Sequence, residues 1–122
     1  MERVYTEDSI RFMDQGREKA AFQEKVENGV VLFALSGAIS GEITNTLMDE
    51  MTALIVAGQG LVVDLDRATY LSASAMEVFL RVEKRLEDQG KYLRIVQMPQ
   101  EIYDTFKSRG MHELLEIEVK KA

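Results

Sequence analysis

Apolar positions along this chain follow two rhythms, and the places where the rhythm changes mark its elements. Residues 22–26 alternate weakly, as an edge strand does, and residues 30–35 (Val-Val-Leu-Phe-Ala-Leu) are apolar throughout, as in a strand covered on both faces. Between them Asn28-Gly29 is the strongest hairpin signal in the chain, since both residues tolerate positive φ. Residues 36–41 read as a loop. Ile43, Leu47, Met51, Leu54 and Ile55 then recur at helical spacing, with Ser40 as the expected N-cap and Gly58 and Gly60 at the exit. A buried-looking strand spans residues 61–65. After a hydroxyl-bearing loop, Met76, Phe79, Leu80, Val82 and Leu86 define a second helix that Gly90 stops.

A strand over residues 92–97 follows. Pro99 opens a short helix carrying Ile102 and Phe106, which Gly110 ends, and residues 114–119 close the chain as an alternating strand. Strands and helices alternate after the opening hairpin, which implies right-handed crossovers and an α/β fold with a mixed, largely parallel sheet and helices packed against it. Residues 1–21 form an N-terminal extension ahead of a domain at 22–122. An irregular segment, a helix using Ile10 and Met13, and an added strand are all open there.

Composition narrows the function. Of 122 residues, 46% are hydrophobic and 30% charged, enough for one real core. A net charge of −6 argues against nucleic acid and against unaided binding to anionic lipid, and permits a basic protein partner. The first residues lack the basic and apolar segments of a secretory signal, and no run approaches the roughly 20 apolar residues that span a bilayer. The expected location is the cytoplasm. With no cysteine and His112 as the single histidine, a zinc site and histidine-assisted nucleophilic catalysis are both disfavoured, and no cofactor is expected. Asp64 and Asp66, two apart on one strand, are the only acid–base pair worth weighing, and a solvated strand end explains them.

The candidate chemistry lies at residues 70–77, Tyr-Leu-Ser-Ala-Ser-Ala-Met-Glu. A strand that turns straight into a helix leaves free N–H groups there, a place for a negative charge. Ser74 and Glu77 have the spacing of a capping box, which alone would account for both residues. Ser72 has a simpler reading as a turn residue bonding its own backbone. Met76, beside the hydroxyls, is a candidate interface anchor.

Four places taken in order resemble the STAS domain, named for sulphate transporters and anti-sigma factor antagonists. They are the hairpin leading into Gly37-Ala38-Ile39-Ser40, the strand at 60–65 with Asp64, the loop at 70–75, and the tail containing Leu93-Arg94-Ile95-Val96, Gly110-Met111 and Leu114-Leu115-Glu116-Ile117. The resemblance implies a small bacterial regulator of transcription rather than an enzyme. In the free-standing members of the family a kinase-fold anti-sigma factor binds this loop and phosphorylates it, and the phosphorylated form lets go. The expected partner is therefore such an anti-sigma factor or serine kinase. The expected surface is Ser40, Asp64, Ser72, Ala73, Ser74, Met76 and Glu77, with Ser74 and then Ser72 as candidate phosphoacceptors. The family loop usually reads Asp, two hydroxyl residues, then Gly. Here Ser72, Ala73, Ser74 and Ala75 stand in those places, so the acid and one hydroxyl are gone. That leaves open a constitutive binder, or an accessory subunit of a larger complex such as a transporter.

Overall fold

The computed structural model describes residues 1–121. The chain order is β1 (Glu2–Tyr5), β2 (Ser9–Asp14), β3 (Arg17–Glu27), β4 (Val30–Ile39), α1 (Glu42–Leu54), β5 (Gly60–Leu71), α2 (Ala73–Asp88), β6 (Tyr92–Met98), α3 (Gln100–Ser108), a 3-10 turn (Met111–Glu113) and β7 (Glu116–Val119). The seven strands form one sheet in sequential order. β1 to β4 pair antiparallel, and β4 to β7 pair parallel. Parallel neighbours need a crossover. When every right-handed crossover steps the same way across the sheet, each falls on the same face. Accordingly α1 packs on α2, and Phe79 of α2 stacks on Phe106 of α3 at 6.4 Å.

The core is the layer between that face and the helices. Phe12, Phe22 and Phe33 of β2, β3 and β4 run across the sheet with ring centroids 4.9 and 5.6 Å apart, and each is essentially fully buried. Among the described residues the opposite face carries no helix. Leu32, Val62 and Val96 are half-buried there and Ala34 is exposed, so β4 is not covered on both sides as its apolar run implies.

The Asn28-Gly29 turn has φ of 52° and 79°, both positive as a two-residue hairpin requires. The extension at residues 1–21 contributes β1, β2 and the first residues of β3, and β1 and β2 form an antiparallel hairpin that widens the same sheet. It turns into β3 through Gln15-Gly16, again with both φ positive.

β4 and β5 both run further than the sequence pattern indicates. The stretch 36–39 is strand rather than loop, and β5 continues for six residues past Leu65. Two register shifts between β4 and β5 explain why alternation hides this: buried positions fall at Leu65, Ala68 and Leu71, three apart. Gly37 is required at this irregularity. Its φ is +79°, and a Cβ there would lie 2.1 Å from the Lys19 carbonyl oxygen.

Candidate functional site

The long β4 and β5 end side by side, and each hands over to a helix at the same edge of the molecule. The Ser72 N–H donates to the Ile39 carbonyl at 3.0 Å, which holds Ser72 extended at φ −69° and ψ 164°. That conformation makes Ser72 the N-cap of α2: its Oγ accepts from the Ala75 N–H at 3.1 Å. Ser74 is therefore not the cap, and no capping box with Glu77 forms. Two serines two residues apart compete for the role, and the strand-end hydrogen bond decides between them.

Ser74 sits in the first turn of α2 with its side chain exposed and without a hydrogen-bond partner among the described residues. The N–H groups of Ala73 and Ser74 likewise have no acceptor among the described residues, as expected for the first turn of a helix. Ser72 is half-buried. Its Oγ lies 3.5 Å from Thr44 Oγ1, and Thr44 is 6% exposed on α1. Thr44, which sequence reading missed, thus links the two helix starts. Its signal is a hydroxyl one place after Ile43 on the buried stripe of α1.

At the start of α1 the cap is Gly41 rather than Ser40, with φ 57° and no side-chain cap bond. Ser40 contributes its carbonyl instead, which accepts from the Ile43 N–H at 3.2 Å. Ser40, Ser72, Ala73, Ser74 and Glu77 do share this end of the molecule. Met76 shares it too, at the base of a cleft beside Ala73, but is buried rather than exposed, and Asp64 does not share it. Met76 is 2% exposed and belongs to the core, because the true helix start at Ala73 turns it inward. Asp64 lies eight residues before Ser72 on β5, about 26 Å along an extended strand. Its carboxylate accepts the Asp66 N–H at 2.8 Å, while Asp66 pairs with Lys120 at 2.9 Å. Both carboxylates are thus engaged within the sheet, Asp64 with the backbone of its own strand and Asp66 with Lys120 just past β7.

Beside Ala73 a shallow cleft of about 220 Å³ runs to α3, lined by Tyr70, Ile102, Thr105 and Arg109. Tyr70 is 54% exposed at its mouth. Glu42 and Glu77 are exposed on the first turns of the two helices, so the edge offers hydroxyls, free amides, one aromatic ring and carboxylates. Among the described residues no group of three or more histidine, cysteine or acidic side chains is placed to hold a metal. No helix among the described residues is long and apolar enough to cross a membrane.

The STAS domain family model matches residues 21–121. The chain belongs to the STAS family. No curated protein matches it. Among solved structures, it is similar to an anti-sigma factor antagonist from Mycobacterium paratuberculosis, with a TM-score of 0.74 at 15% identity over 81% of this chain and 85% of that one. The anti-sigma factor antagonist SpoIIAA in its unphosphorylated form gives 0.69 at 15% identity, over 79% of this chain and 86% of that one. A sulfate transporter family protein from Wolinella succinogenes gives 0.67 at 15% identity, over 79% and 81%. At such identities the likeness is one of fold. This STAS domain is the mixed α/β fold of those structures, and its β1–β2 hairpin lies ahead of the matched region.

Proposed function

We propose that this STAS domain is a non-enzymatic binding protein of the anti-sigma factor antagonist kind, which engages a kinase-fold partner through the edge where α1 and α2 begin. One observation carries the reading: Ser74 presents a free hydroxyl on an exposed helix N-terminus, while the neighbouring hydroxyls of Ser72 and Thr44 face inward. The contact surface is Ser40, Ala73, Ser74 and Glu77, extended by Tyr70 and the cleft toward Arg109. Ser74 is the phosphoacceptor. A phosphate there meets two unused N–H groups and the positive end of the α2 dipole, so the domain tolerates it. The same dianion beside Glu77 and Glu42 makes an already acidic edge strongly negative, which expels a partner that buries it. Ser72 is unsuited to the role, since modification removes the α2 cap and drives charge against Thr44.

The test is incubation with the kinase-fold protein encoded nearest this gene, with ATP, followed by intact mass and pull-down. One added phosphate is expected in wild type and in Ser72→Ala, none in Ser74→Ala, and Ser74→Asp should lose the partner. Binding with no phosphate in wild type would favour the alternative, an accessory subunit of a larger assembly, which the loss of a second hydroxyl at Ala73 favours. Retention of the partner by Ser74→Asp would place the interface elsewhere.

A further inference from the structure

The edge opposite the hydroxyls carries a groove that the regulatory reading does not use. It lies between the β1–β2 turn, the last residues of β3 and the end of α1, and measures about 670 Å³. Its floor is Val31, Leu54 and Ala57, and exposed Val26 stands at its mouth. Its rim is acidic. Glu7, Asp8 and Glu24 line it with one cation, Lys25, which pairs instead with Glu27 at 3.6 Å, and Glu50 stands next to Glu24 in the adjoining hollow under Tyr5. None of Glu7, Asp8, Glu24 and Glu50 is ion-paired among the described residues, whereas the charged pairs of the sheet elsewhere are matched, Arg11 with Glu18 at 2.7 Å and Arg94 with Glu116 at 3.1 Å. Burial first, and then Glu24 and Asp49, hold the Glu50 carboxyl above its ordinary range, so the charges nearest it are carboxylates.

An independent feature of the backbone points the same way. β2 ends its pairing with β3 at Ser9 opposite Gln23, and the Glu24 N–H is taken by the Asp8 carbonyl at 2.8 Å. β3 continues to Glu27 paired with β4 on one side and, among the described residues, with no strand on the other. In an antiparallel ladder the N–H and C=O of one residue point to the same side, alternating along the strand. Glu24 points toward β2, so Val26 does too, and its N–H and C=O are unpaired among the described residues. This is a short open strand edge above an apolar floor, set in negative charge.

We infer that this groove takes an extended peptide segment that carries basic and apolar residues on one and the same face, added as a strand against Val26 of β3. One peptide residue exchanges both main-chain bonds with Val26. The peptide side chain opposite Val26 and those two places on either side of it share the helix face, so an apolar one covers Leu54 and Ala57 while a lysine or arginine two places away reaches Glu24 or Glu7. The net charge of −6 draws such a segment in. This surface is separate from the hydroxyl edge, and both can be occupied at once.

The probe is a fluorescein-labelled hexapeptide, Lys-Lys-Val-Val-Lys-Lys, which presents lysine and valine on either face of a strand, read by anisotropy, with Glu-Glu-Val-Val-Glu-Glu as its counterpart. Saturable binding of the lysine peptide alone is expected. Val26→Pro removes the free N–H without altering charge, so it separates strand addition from general attraction; a loss of about tenfold in affinity is expected, with Val26→Thr close to wild type. Glu24→Lys should weaken binding at least as much. In the wild-type chain, amide exchange at Val26 should slow when the probe is added, a readout that needs no variant. Absence of saturable binding, equal binding of the glutamate peptide, wild-type affinity in Val26→Pro, or unchanged exchange at Val26 would each overturn the proposal.

Discussion

The two faces of this sheet are built from the same strands and could hardly differ more. Phe33 is 1% exposed beneath the helices, while its neighbour Leu32 points to the bare face and is only half-buried. On the covered face three phenylalanines interlock, and Arg3 lies over the Phe12 ring at 5.5 Å, which ties the first hairpin to the same layer. On the bare face registered charges neutralise each other across strands, as Arg94 does with Glu116. Cohesion is therefore one-sided: the helices supply nearly all the dry packing, and the bare face is kept soluble by paired charges around a thin apolar stripe. A domain built this way can present an edge or a face to a partner without opening its core.

The comparison is broken most directly by truncating adjacent residues of β4. Phe33→Ala removes a ring that fills the space under α1 and should cost about 3–5 kcal/mol. Leu32→Ala should cost about 1 kcal/mol or less, because most of what it loses was already facing water. Urea unfolding followed by circular dichroism measures both. Equal costs would mean that the bare face is covered in solution by a second copy or another chain.

A smaller effect tests the covered side at its rim. Ser72→Ala removes the cap of α2 and should cost about 1 kcal/mol, against no more than about 0.5 kcal/mol for Ser74→Ala. The reverse order in thermal unfolding would return the cap to Ser74 and with it the capping box.

Much of this arrangement was legible in the chain. Residues 30–35 and 61–65 are apolar enough to mark parallel strands, and Asn28-Gly29 marks its hairpin through residues that tolerate positive φ. What the pattern hid has physical causes. The register shifts in β5 turn a period of two into a period of three, so its last six residues resemble a loop. Gln15-Gly16 makes the same kind of turn as Asn28-Gly29, with a glutamine at φ 51° that sequence rules do not favour, so the first hairpin went unread. The helix start at residues 72–74 was placed correctly to within two residues. Those two residues decide which serine is free and whether Met76 is surface or core, which is why the candidate site was less legible than the fold. Asp64 was misplaced for the related reason that β5 was read as ending beside it.

The last contrast concerns charge, and its sign is opposite on the two sides. Glu18 on the sheet is paired with Arg11, so Glu18→Gln should lower stability slightly at neutral pH, as loss of an exposed pair does. Glu50, on the helix side, is partly covered and has carboxylates rather than cations for neighbours. Its carboxyl is raised above the ordinary value of 4.5 by burial first, then by Glu24 and Asp49. A carboxyl raised in the folded state binds its proton more tightly there than in the unfolded chain. The ionised form therefore opposes folding, fully above the raised value, and the opposition fades as pH falls through that value toward 4.5. Glu50→Gln should accordingly raise the Tm at pH 7, within about 2 °C since the group keeps much of its solvent, and the gain should vanish near pH 4. A paired titration of Tm for wild type, Glu50→Gln and Glu18→Gln between those limits separates the two faces by the sign of the shift. A fall in Tm for Glu50→Gln at pH 7 would show that a cation attends Glu50 in solution, and that the helix side is as well neutralised as the bare one.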